Sequence, residues 1–159
     1  MTNIQSMLSI GTLVIFSIIS MLVNSSYLQS SSIEIEDKVY LTAFSLADDL
    51  VEEMKQKAFD EKTIDFQAIR QDQLTAVLGP EGEVWPNFDD IDDYKGYTKN
   101  VDAPHAEGYH VACDVVYCNA DGTLSGTQQY YKKVTITVTS DYLPDPFQMY
   151  FIFSLHSKN

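Results

Sequence analysis

Four aspartates within five residues form the densest group of side chains that could do chemistry: Asp89, Asp90, Asp92 and Asp93. Calcium takes several oxygen ligands, so one interpretation of this group is a calcium site. The spacing is not that of an EF-hand loop, because the glycine and the later glutamate of such a loop are absent. The interpretation that we favour is a structural turn, in which the carboxylates accept backbone N–H bonds or pair with Lys95 and Lys99.

The remaining reactive side chains do not assemble into a catalytic constellation. The three histidines are scattered, and no Ser/His/Asp or Cys/His arrangement can be proposed from their positions. Adjacent carboxylates such as Asp48-Asp49 and Glu52-Glu53 belong to the solvated face of a predicted helix, which suits repulsion better than acid–base work. We therefore expect a protein that is not an enzyme.

The two cysteines, Cys113 and Cys118, lie in a segment that alternates like a β-strand. In one strand they would be about 16 Å apart, at ~3.3 Å per residue. A disulfide needs Cα atoms within about 7 Å of each other, so we expect no bond between them. The pair lacks the spacing and the additional ligands of a metal site.

The charge balance excludes one class of partner. The 159 residues include 23 acidic and 10 basic side chains, for a net charge of −13. Phosphate recognition needs lysine and arginine, so the sequence argues against binding to nucleic acid. The acidity is better explained by solubility and by repulsion between neighbouring copies.

The first segment of the chain, residues 1–33, is apolar and has no charged side chain before Glu34. The run from Met7 to Val23 is near the ~20 residues that span a bilayer as a helix. A cleaved signal peptide has a basic N-terminal region and a cleavage site of small residues, and this segment has neither feature. The alternatives are a plain membrane anchor and a helix that lies in the membrane first and is later buried among copies of itself.

Small residues in this helix favour the last alternative, because they let helix backbones approach closely. They are Ser6, Ser9, Gly11, Thr12, Ser17 and Ser20. The residues that we expect to carry assembly are Ile4, Gln5, Met7, Leu8, Leu13, Ile15, Phe16, Ile19 and Leu22. The pattern Asn24-Ser25-Ser26 fits an N-glycosylation site, and Ser25 and Ser26 are themselves candidate sugar sites.

Residues 34–59 continue as an amphipathic helix, with apolar residues recurring at spacings of four and three. This stripe, which we expect to pack on a sheet, consists of Ile35, Val39, Ala43, Leu46, Leu50 and Met54. No proline precedes Pro80, so a continuous helix from Ile4 to Ala58 is predicted, about 80 Å long.

Residues 60–159 are predicted to form an acidic, β-rich head. Tyr94–Val101 is a candidate edge strand, and the odd positions of Tyr109–Tyr117 share one face. A turn containing Asp121-Gly122 leads to the alternating Val134–Thr139, which predicts a hairpin. A last strand follows Pro146. The expected fold class is α+β, with a long N-terminal α-helix, apolar then amphipathic, packed on a small antiparallel β-sheet.

This layout resembles that of type IV pilins and pseudopilins. The opening Met1-Thr2-Asn3-Ile4-Gln5-Ser6-Met7 is similar to a mature pilin start, except that Gln5 stands where the family has an acidic residue. Gln5 could accept a hydrogen bond from a neighbour's terminal amine but could not form an ion pair with it. The stretch Phe88–Tyr97 resembles the FDDVDDYxG motif of minor pilins.

The resemblance implies a structural subunit of an extracellular filament, assembled through its apolar helix. Its partners would be copies of itself and the pilus assembly machinery of the inner membrane. Its location would be the inner membrane before assembly and the cell surface afterwards. The alternative is a monomeric, membrane-anchored periplasmic or surface protein whose head binds a ligand or partner. No cofactor is expected unless the aspartates bind calcium.

Overall fold

A computed structural model describes residues 3–64, 70–103 and 106–155 of the chain. Two compact units are present, residues 1–38 and residues 39–159. The first helix, α1 (Asn3–Met54), contributes residues to both units. After α1 come a short helix, α2 (Glu61–Ile64), and two single-turn 3₁₀ helices, Gln71–Gln73 and Asp92–Tyr94.

Within the first unit, three hydroxyl side chains of α1 bond to the backbone of their own helix. The hydroxyl groups of Ser9 and Ser17 donate to the carbonyl oxygens of Gln5 and Leu13, both at 2.9 Å. Thr12 donates to the Ser9 carbonyl, also at 2.9 Å. These three hydroxyl groups therefore need no water as a partner when the helix lies in an apolar medium.

The helix ends at Met54, four residues before the predicted end at Ala58. The amides of Gln56 and Lys57 bond to carbonyls three residues earlier, which tightens the last turn. Ala58 then leaves the helix altogether, because its N–H donates to the Asp89 carbonyl at 2.9 Å. A tertiary contact, rather than helix propensity, therefore sets the end of α1.

Four strands form one antiparallel sheet in the order β1-β2-β3-β4. They are β1 (Thr98–Ala103), β2 (Ala106–Cys118), β3 (Tyr131–Thr139) and β4 (Phe147–Ser154). The predicted hairpin is present as β2 and β3, with Val115 opposite Val134. The edge strand begins later than predicted, since Tyr94 belongs to a 3₁₀ turn. The α+β class is confirmed.

The core of the second unit lies between the last turns of α1 and one face of the sheet. Its helical members are Val39, Ala43, Ala47, Leu50, Val51 and Met54. Leu46 is only half-buried, and Ile35 does not belong to the packed stripe, because its side chain is 59% exposed. The buried part of the helix begins at Val39, whose carbonyl oxygen accepts a hydrogen bond from the buried Tyr109 hydroxyl.

Candidate functional site

A lysine lies on the core-facing side of β3. Val134, Ile136 and Val138 point into the core, and Lys132 precedes them on the same face with no solvent exposure. Its ammonium group donates to the Phe59 carbonyl at 2.6 Å and to Asp60 Oδ2 at 3.0 Å, and it pairs with Asp92 Oδ1. A buried charge is tolerated only when it is paired and hydrogen-bonded, and here three acceptors surround it.

Asp60 is the most fully bonded carboxylate of the site. It accepts hydrogen bonds from the Thr75 hydroxyl at 2.9 Å, from the Tyr117 hydroxyl at 2.8 Å and from the Lys62 amide at 3.1 Å. Burial alone would raise its pKa. The Lys132 charge and the hydrogen bonds from Lys132, Tyr117 and Thr75 outweigh burial and hold the pKa of Asp60 below its usual value.

The Asp-rich stretch folds as a turn tied together by its own carboxylates. Asp90 Oδ1 accepts from the amides of Asp92 and Asp93, at 2.8 and 3.2 Å. Asp93 Oδ2 accepts from the amides of Asp89 and Asp90, at 3.0 and 3.3 Å. The turn also pairs with the segment after α1, since the Ile91 amide donates to the Ala58 carbonyl at 3.0 Å. These bonds are those expected of a structural turn.

The lysines predicted to neutralise this turn are bound elsewhere. Lys95 donates to Asp114 Oδ1 at 3.2 Å, and Lys99 lies over the Trp85 ring, 4.5 Å from its centroid. The physical reason is that the chain joins the sheet immediately after Tyr94, where the Gly96 amide bonds to the Cys113 carbonyl of β2. The cation that reaches the turn is instead Lys132, which comes from β3.

Asp90 and Asp92 form a pair of buried carboxyl groups. Both are almost fully buried, and the Oδ2 atom of each has no hydrogen-bond partner among the described residues. Burial and the Asp92 charge raise the pKa of Asp90 to about 9. Burial also raises the pKa of Asp92, against the opposing effect of Lys132. Asp90 therefore carries a proton at neutral pH.

The four aspartates do not converge as the calcium hypothesis required. Asp92 faces Lys132, and Asp90 uses Oδ1 for backbone amides. A different set brings carboxylate oxygens within 4.8 Å of one another: Glu83, Asp89 and Asp93. Burial and the charges of Asp89 and Asp93 raise the pKa of Glu83. Calcium binding stays a prediction.

The expected assembly residues all lie on α1 with exposed side chains. The eight apolar ones, Ile4, Met7, Leu8, Leu13, Ile15, Phe16, Ile19 and Leu22, are between 53% and 74% exposed. Gln5 is exposed as well, as are the candidate sugar sites Ser25 and Ser26. By length and composition α1 can cross a membrane, a test that signal sequences near an N-terminus also pass. It could therefore act as a membrane anchor or as a signal.

Comparison with known proteins finds no match: no protein-family model, no curated protein and no solved structure is similar to the chain. The class of protein is thus defined by the fold alone. It has a long N-terminal helix, apolar in its first part, and a small antiparallel sheet packed on the last turns of that helix, an arrangement compatible with a pilin-like fold.

We predict that Lys132→Met destabilises the folded head by about 3–5 kcal/mol, because it leaves buried carboxylates without their cation. The matched control is Lys133→Met, which removes the next lysine of β3, a half-buried residue lying over the Tyr150 ring. That control should cost less than about 1 kcal/mol. Urea unfolding of the detergent-solubilised chain measures both, and equal losses would contradict the central role of Lys132.

We also predict that stability falls as the pH rises from the ordinary aspartate value of 3.8 towards about 9. Over this range the folded protein keeps a proton on Asp90 that the unfolded chain has released, so folding binds protons. Asp60, with its lowered pKa, acts only at more acidic pH. Asp90→Asn keeps a neutral side chain at that position and should flatten a plot of Tm against pH. Parallel plots for the two proteins would refute this assignment.

Chelation by EDTA should leave the Tm almost unchanged, because backbone amides and Lys132 already satisfy the carboxylates of the turn. A fall of many degrees, reversed by calcium and not by magnesium, would support the metal hypothesis instead. In that case Glu83→Gln should abolish the calcium effect, since Glu83 belongs to the set of converging carboxylates.

Proposed function

We propose that this chain is a structural subunit of an extracellular, pilus-like filament, assembled through the first part of α1. The observation that carries the proposal is the exposure of that helix. From Ile4 to Leu28 its large apolar side chains have more than half of their surface exposed. Burial of apolar surface contributes about 25 cal/mol per Å², so such a helix needs lipid or other copies around it.

The surface of the helix suits close packing against another helix. Ile4, Met7, Leu8 and Ile15 line a shallow apolar notch beside Gly11. A Cβ atom added at Gly11 would meet nothing within 4 Å, so the notch is open to an incoming side chain. Small residues at such positions allow helix backbones to approach closely, which supports a bundle of copies.

The rival function is that of a monomeric membrane-anchored protein with a binding head. It uses the same apolar helix, so the helix alone does not separate the two functions. The two functions differ in whether the shape of the notch matters. Lipid chains adapt to any apolar surface, whereas a packed helix bundle needs surfaces that fit each other. The filament hypothesis alone makes assembly sensitive to the shape of α1 as well as to its polarity.

We predict that Ile15→Asp abolishes filaments, because it places a charge in an apolar bundle. The fold of residues 39–159 should be unchanged, since Ile15 is not part of their core. The matched control is Ile15→Leu, which conserves volume and polarity and should assemble. Electron microscopy of shed cell-surface material gives the measurement, with circular dichroism as the check on folding.

A third variant, Gly11→Leu, separates the two functions. It keeps the helix apolar and therefore inserted in the membrane, but it fills the notch. Loss of filaments with normal membrane insertion supports the filament function. Absence of filaments from the unmodified chain would favour the anchored monomer, and normal filaments from Ile15→Asp would refute the buried bundle.

A further inference from the structure

The Lys132 amine lies in a dry site between two carboxyl groups. The side chains of Lys132, Asp60 and Asp92 have no solvent exposure. The rings of Phe59 and Tyr117 cover the amine, with centroids 4.7 and 5.4 Å from Nζ. An amine and a carboxyl group are the two reactants that form an amide bond. Holding them in contact in a site without water favours the reaction, because the two groups do not have to meet by diffusion.

The two carboxyl groups differ in how they are held. Asp60 has donors on both oxygens, from Thr75, Tyr117, Lys62 and Lys132, which hold it as an anion with Oδ2 in direct contact with the lysine nitrogen. Asp92 touches Lys132 through Oδ1, while its Oδ2 is buried and has no hydrogen-bond partner among the residues that the structure describes. Asp92 is therefore the less firmly held of the two carboxyl groups, with one oxygen in contact with the lysine and one oxygen without a donor.

We propose that Lys132 and Asp92 condense spontaneously into an intramolecular amide bond. Lys132 gives a proton to the Asp60 carboxylate, and Nζ then bonds to Cγ of Asp92. The Cγ–Oδ2 bond breaks, and the oxygen leaves as water with the two protons that the ammonium nitrogen loses, delivered through Asp60 and Asp90. An ammonium and a carboxylate thus become one amide and one water, so the reaction needs no oxidant, metal or other reactant.

The bond would join two parts of the head that are far apart in sequence. It links the 3₁₀ turn Asp92–Tyr94, which precedes the edge strand β1, to β3 in the middle of the sheet. The sheet and the turn would then stay connected even when the hydrogen bonds between strands are broken. The cross-link is independent of the proposed filament function, because it depends only on contacts within residues 39–159.

Peptide mapping of the unmodified full chain tests the proposal. The chain is purified in detergent, incubated at neutral pH, denatured and digested with trypsin. The expected product joins residues 71–95 to residues 100–133, and it weighs about 18 Da less than the two peptides together because one water has left. Cleavage after Lys132 should fail, because an acylated lysine is no longer a trypsin site.

Each other outcome overturns part or all of the proposal. Recovery of residues 71–95 and 100–132 as separate, unmodified peptides would show that the contact is only an ion pair. A product that joins residues 58–62 to residues 100–133 would move the bond to Asp60 and reject the assignment to Asp92. The control is Lys132→Arg, which keeps the positive charge but has no reactive amine, and it should yield no branched peptide. A branched peptide from this variant would show that Lys132 is not the nucleophile.

Discussion

The arrangement of the head depends on one buried cation. Moving an ammonium group out of water costs several kcal/mol even after relaxation, so Lys132 can lie in the core only if its partners are always in place. Those partners come from separate parts of the chain: the segment after α1 supplies Phe59 and Asp60, and the Asp-rich turn supplies Asp92. Neither segment can move away without uncovering a charge. The segment after α1 and the Asp-rich turn are therefore held against the sheet by their bonds to Lys132, because their short helices bury few apolar side chains.

The sheet was predictable from sequence because its strands alternate strictly. The inward positions of β2 and β3 that we expected are the buried ones, and the hairpin between them is in place. The same alternation, extended two residues before Val134, puts Lys132 on the core face, so a signal for the site existed. Asp60 had no such signal. It becomes part of the site because α1 ends at Met54, and that end is set by the pairing of Ala58 with Asp89 and Ile91.

The Asp-rich motif shows where local reasoning reaches its limit. A turn capped by its own carboxylates follows from the short spacing, since aspartate side chains bond readily to nearby backbone amides. The choice of cation does not follow from spacing. Lys95 is only three residues from Asp92 in sequence, but its ammonium group bonds to Asp114 of β2. The lysine that reaches Asp92 is Lys132, forty residues away. The partner of a buried charge depends on which strands lie side by side in the fold, and a local sequence pattern does not contain that information.

The polar side chains of the two units differ in where their hydrogen-bond partners lie. In the first unit, the hydroxyl groups of Ser9, Thr12 and Ser17 bond to carbonyls of their own helix and need no partner from their surroundings. In the second, the buried side chains of Asp60, Tyr117 and Lys132 depend on partners distant in sequence. Among the described residues, the core of the second unit includes none before Val39. The apolar side chains of the first unit therefore contribute nothing to that core, and the assembly that we propose through them would leave its contacts unchanged.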